Sequence, residues 1–158
     1  MALARKLQPL SEPRPDRYEA DLVAWAEANA ALLRQGRLAE IDVEHIAEEL
    51  EDVGKSERRA LGSHLRNLML HLLKWEFQDT RRGVSWQRSI HSARREIAVI
   101  LADSPSLAGR VTSLIEQEFP SARRLAATET KRREDSFPSA CPYSADQLID
   151  DAFWPGRP

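Results

Sequence analysis

Leu61, Leu65, Leu68, Leu72 and Trp75 recur at steps of four, three, four and three residues. At about 100° per residue this spacing gathers all five on one side of an α-helix, and such a stripe must be covered by other apolar surface. The pattern predicts a helix from about Ser56 to Gln78, broken by Arg81-Arg82-Gly83-Val84. It is the strongest periodic signal in the chain, and everything else must supply partners for it.

The neighbouring segments read the same way. Asp16 with Glu19 has the spacing of a capping box, and Gly36 sits where a helix ends, so a first helix is expected between them. Its stripe is Tyr18, Leu22, Trp25, Ala26, Asn29, Leu32 and Leu33. Asp42 is an N-cap for a second helix ending at Val53 before Gly54, with Val43, Ile46, Ala47, Leu50 and Val53 on one side. Ser85 is the expected cap of a helix carrying Trp86, Ile90, Ala93, Ile97 and Leu101 and ending at Asp103. Ser104-Pro105 opens another through Leu107, Val111, Leu114, Ile115 and Phe119, which Pro120 is expected to kink or split before Ala122, Leu125 and Ala126. A capping box at Ser144-x-x-Gln147 starts a short last helix, and the Phe153-Trp154 pair is expected to dock the tail. No segment alternates with period two, so the predicted fold is all-α: a five- or six-helix bundle with an ordered C-terminal tail docked on it. Pro9, Pro13 and Pro15 make residues 1–15 an expected N-terminal arm, leaving residues 16–158 as a single helical domain.

Of the 158 residues, 42% are apolar and 30% charged, enough for a buried core and unlike a disordered or fibrous chain. No apolar run approaches the roughly 20 residues of a membrane span, and the N-terminus lacks a secretory apolar region. With Cys141 the sole cysteine, no intrachain disulfide and no cysteine-based zinc site can form, so a cytoplasmic location is expected. Net charge is only −2, yet it is unevenly spread. Glu40 to Glu57 holds eight acids against Lys55, and Thr80 to Arg133 holds eleven bases against five acids. Attraction between such segments within the fold is the plainest use of that asymmetry.

Candidate chemistry is sparse. His64 and His71 lie near the Leu68 face but two turns apart, roughly 10.5 Å of rise, too far to share a metal unaided. Glu44, Glu48 and Glu51 are expected to point away from an apolar centre near Leu50, with Glu49 and Asp52 at its flanks. Five arginine pairs, at 58–59, 81–82, 94–95, 123–124 and 132–133, would contact phosphates only if they converged, and no nucleic-acid-binding motif accompanies them. Arg94 shares the side of Ile90 and Ile97 and needs a buried acceptor, for which Glu48 or Glu49 is expected. No nucleophile motif or phosphate-cradling glycine loop is present, and no catalytic, cofactor or metal-ligating residue is expected.

Several strings of residues carry a resemblance: Tyr18-x-x-Asp21-x-x-x-Trp25, Ile46-Ala47-Glu48-Glu49-Leu50-Glu51-x-x-Gly54-x-Ser56-Glu57-Arg58-Arg59 and Met69-Leu70-His71-Leu72-Leu73-Lys74-Trp75. Ser85-Trp86, Asp103-Ser104-Pro105-Ser106-Leu107, Phe137-Pro138-x-x-Cys141-Pro142-Tyr143 and Phe153-Trp154-Pro155 continue it. Over about residues 16–155 the chain resembles the bacterial family known as domain of unknown function number twenty-nine, found in cyanobacteria and proteobacteria. The resemblance implies an all-helical cytosolic domain and no assigned activity, cofactor or catalytic residue. The family pattern has a histidine at position 71 and none at 64, and Pro120 departs from it. Motif placement marks Glu48, Glu49, His71, Lys74, Trp75, Trp86 and Arg94 as a functional cluster or as polar clamps of the bundle. The expectation from sequence is a non-enzymatic protein-interaction module, self-associating or binding an unknown protein partner. The alternatives are a nucleic-acid-binding regulator acting through residues 80–133 and a metal-dependent enzyme around His71.

Overall fold

A computed structural model describes residues 18–156; the expected arm over residues 1–15 and the cap at Asp16 lie outside them. The described residues form α1 (Leu22–Arg34), α2 (Val43–Phe77), α3 (Val84–Asp103), α4 (Val111–Thr130) and α5 (Ala145–Ile149), with no strand among them. The all-α expectation holds. The chain divides after Val53 into two compact units, and α2 contributes to both.

In the first unit, α1 begins later than the sequence suggested. Tyr18–Ala20 form a turn, and Asp21 caps α1: its carboxylate accepts from the Ala24 N–H at 3.0 Å. The end is as expected. Gly36 takes φ +71° and donates to Leu33, while Arg37 donates to Leu32, so two carbonyls of the last turn are satisfied by a left-handed residue that carries no Cβ. Asp42 caps α2 as expected, accepting from the His45 N–H. Trp25, Asn29 and Leu32 are buried.

The expected break at Gly54 does not occur: one helix of 35 residues replaces the second and third segments. An interior glycine costs only about 1 kcal/mol relative to alanine. The good helix formers from Lys55 to Ala60 carry the helix to the packed turns beyond Leu61.

In the second unit the Leu61, Leu65, Leu68, Leu72 and Trp75 stripe is buried throughout, against Ile90, Ala93 and Ile97 of α3 and Leu114, Ile115, Phe119, Ala122 and Ala126 of α4. Three local expectations fail. The N-cap of α3 is Gly83, and Ser85 lies inside the first turn, its carbonyl accepting the Ser89 hydroxyl. Arg82 holds this entry by donating from Nε to the Trp75 carbonyl at 2.7 Å. Pro105–Arg110 is a 3₁₀ segment, and α4 starts only at Val111; Ser104 makes no side-chain cap, and the tighter winding turns Leu107 into the core. Pro120 does not split α4: it lies on the exposed side, while nearby Phe119 and Ala122 are anchored in the core. At α5 the expected capping box is complete, with Ser144 and Gln147 satisfying each other's backbone N–H groups.

Candidate functional site

Of the seven residues singled out from the sequence, two lie in the first unit and five in the second. Glu48 is exposed on α2, and Glu49 accepts the Tyr18 hydroxyl at 2.7 Å within the first unit. The remaining five belong to the second. His71 Nδ1 lies 2.8 Å from the Asn67 carbonyl, one turn back on its own helix. Burial pulls the His71 imidazole below its ordinary value. Lys74 is buried, pairs with Glu129 at 2.5 Å and lies 4.7 Å over the Trp86 ring, so Lys74 and Trp86 do meet. Trp75 packs against Trp154 with ring centroids 4.7 Å apart, and its buried indole N–H has no acceptor among the described residues.

Arg94 is not answered by Glu48 or Glu49. It is 3% exposed and donates to four backbone carbonyls of the tail: Leu148 at 2.9 Å, Phe153 at 2.8 Å, and Gln147 and Asp151 at 3.4 Å. The guanidinium fork matches several carbonyls in one plane, and no carboxylate is needed once the α5 end and the turn after it present theirs. Several members of the arginine pairs are engaged by other protein groups. Arg95 pairs with Glu96, Arg123 with Glu134 and Arg133 with Asp135, and Arg82 stacks on Trp75.

The first unit holds a network that the sequence reading missed. Tyr18 stacks on His45 with centroids 4.1 Å apart and meets Trp25 edge-on at 4.9 Å. Asp42 accepts from the Trp25 indole at 3.0 Å and contacts His45 Nδ1 at 2.7 Å, while its N–H donates to Asn29 Oδ1 at 2.8 Å. Asn29 in turn donates to the Trp25 carbonyl at 3.0 Å, so this buried amide is satisfied at both ends. The available signal was Asp42 and His45 at a spacing of three beside a cap, with a polar Asn29 inside an apolar stripe.

Electrostatics follow from these contacts. The hydrogen bond to Glu49 pushes the Tyr18 phenol up to about 12. The Asp42 hydrogen bond raises His45 above 6.5. Burial opposes ionisation of Asp42, but the Trp25 and His45 hydrogen bonds outweigh it and hold its carboxyl below 3.8. A raised histidine stabilises fully below its unfolded value and loses that contribution as pH rises through the folded one. A lowered aspartate does the reverse, losing its contribution as pH falls. The first unit is therefore expected to be tightest between about pH 3.8 and 6.5. Amide-exchange protection of α1, corrected for intrinsic chemistry, should decline above that window, and His45→Gln should flatten the decline. An unchanged profile in that variant would show that another group governs it.

Beside this network lies a groove of about 220 Å³ between α1 and the first turns of α2. Ala26, Ala30 and Leu33 form one wall and Ile46, Leu50 and Val53 the other, with Glu49 among them. These are the stripes expected to pack as core, but Leu50 is 69%, Val53 63% and Leu33 44% exposed. The centre near Leu50 is thus an outer face. A second hollow of about 520 Å³, between α4 and residues 139–145, is lined by Ile115, Phe119, Cys141 and Tyr143. Burial raises the Cys141 thiol, and Tyr143 donates to Glu76 at 2.6 Å, an arrangement that braces structure and activates no nucleophile. Among the described residues, no three His, Cys, Asp or Glu side chains converge as a metal set, and no helix is long and apolar enough to cross a membrane.

These features define an all-helical protein in which an acidic helix pair with an open apolar groove precedes a helical core whose tail is clamped by one arginine. The chain belongs to the family described as Domain of unknown function DUF29, whose family model matches residues 17–154. No curated protein and no solved structure matches it.

Proposed function

We propose that the chain is a non-enzymatic, cytoplasmic protein-interaction module whose docking face is the groove between α1 and the start of α2. The observation that carries this reading is the uncovered apolar lining of Leu33, Leu50 and Val53 on helices that are otherwise well capped and internally bonded. Apolar side chains gathered in one groove are the usual mark of a partner surface, whereas scattered ones need no explanation. At about 220 Å³ the groove lies below the roughly 300–1,000 Å³ of pockets that enclose small ligands, so it suits inserted side chains of a macromolecule. The cytoplasmic assignment is supported by the lone Cys141 thiol.

Site-specific photo-cross-linking tests the reading. A photoreactive residue at Leu50 of the full-length protein, irradiated in the host cell, should yield a discrete protein adduct. The same group at exposed Val99 should not. No adduct at Leu50, or equal adducts at both positions, would overturn the proposal.

A further inference from the structure

We infer that the segment seated in this groove is a positively charged amphipathic helix, an inference that rests on the docking reading above. Charge complementarity is the first argument. Residues 18–53 hold ten acids against Arg34 and Arg37, and Arg37 is bonded to Glu40. Acids also adjoin the groove's own residues in sequence: Glu49 and Glu51 flank Leu50, Asp52 precedes Val53, and Glu27 follows Ala26. A partner with an apolar anchor in the groove brings its flanking residues within about one Debye length, some 8 Å at physiological salt, of several carboxylates. Nucleic acid, an anionic lipid surface or an acidic peptide meets like charge there, whereas lysines and arginines gain in both encounter rate and specificity.

Groove geometry is the second argument. Its walls are helical stripes, Ala26, Ala30 and Leu33 facing Ile46, Leu50 and Val53, which repeat at steps of three and four. A helix with apolar residues at i, i+3, i+4 and i+7 presents anchors at the same spacing and packs as a third helix in such a groove. No strand is present among the described residues, so strand addition has no edge to extend.

The test uses the full-length protein and three labelled peptides of equal length, followed by fluorescence anisotropy. One is a leucine–lysine peptide with the helical stripe, one a leucine–glutamate peptide with the same stripe, and one a leucine–lysine peptide scrambled to remove it. The striped cationic peptide should bind, and added salt should weaken it. Leu50→Asn should weaken it about tenfold, the loss of one well-seated anchor. Joint Glu27→Gln and Asp52→Asn substitution, at exposed positions beside the groove lining, should weaken it about three- to tenfold. Binding of the acidic striped peptide equally well, with the same dependence on Leu50, would leave the docking face standing and remove the charge assignment. Equal binding of the scrambled peptide would remove the helix. Binding indifferent to Leu50→Asn, or no binding at all, would overturn the inference. A self-associated form dispersed by Leu50→Asn would do the same by seating a second copy in the groove. The Leu50 cross-link decides the docking reading separately in each case.

Discussion

Replacing Arg94 with methionine is expected to destabilise the second unit by about 3–5 kcal/mol, since charged donors to buried acceptors contribute about 1.5–3 kcal/mol each and orphaned carbonyls add their desolvation penalty. Arg94 makes four such bonds, to residues 147, 148, 151 and 153, and its guanidinium lies 5.8 Å from the Trp154 ring centre. Its loss should release the tail before the core melts. Arg94→Lys keeps the charge but replaces a planar fork with a single ammonium that cannot reach all four carbonyls, so it should recover only part of the stability. Urea unfolding followed by tryptophan fluorescence checks this, because the Trp75–Trp154 contact reports tail docking. A loss below about 1 kcal/mol, the range of an ordinary surface change, would show that the tail is held by its aromatic contacts alone.

Leu68→Ala is expected to cost about 2–5 kcal/mol, the range for truncating a leucine in a close-packed core. Leu68 is wholly buried between α2, α3 and α4. The same substitution at Leu50, on the same helix, should change stability by no more than about 0.5 kcal/mol. The pair is informative because both leucines sit in a helical stripe of identical appearance. Equal costs at the two positions would mean that Leu50 is covered within the folded chain, and the docking face would be lost with it.

That contrast also marks where the sequence could be read and where it could not. Periodicity identifies which side of a helix is apolar, and for Leu61 to Trp75 that side is the core because three other helices converge on it. For Leu50 and Val53, beside a half-buried Ile46, the same periodicity gives a face that the described residues leave exposed. Whether a stripe is covered depends on tertiary packing, which one segment does not encode. The caps with side chains aimed at specific N–H groups, Asp42 and Ser144, were legible; Ser85 and Ser104 were not, since a serine before a helix has the right chemistry whether or not the chain enters at that residue. Gly54 and Pro120 misled for a related reason. Both penalise a helix locally, but flanking turns that are anchored or rich in helix formers absorb the penalty. Arg94 was correctly singled out as needing a buried acceptor, and the acceptor was missed because backbone carbonyls more than 50 residues away leave no mark on side-chain identity. The Tyr18, Trp25, Asp42 and His45 network escaped because its members come from two helices and a turn, each individually unremarkable.

The most direct measurement is a series of photoreactive substitutions across the protein, irradiated in the native host. Ala30, Leu50 and Val53 sample the groove, and exposed Val99 and Leu125 sample the second unit. The docking face predicts that adducts to one protein partner form at the three groove positions and at neither control. Adducts that cluster at Val99 or Leu125, or that form at all five positions alike, would contradict it.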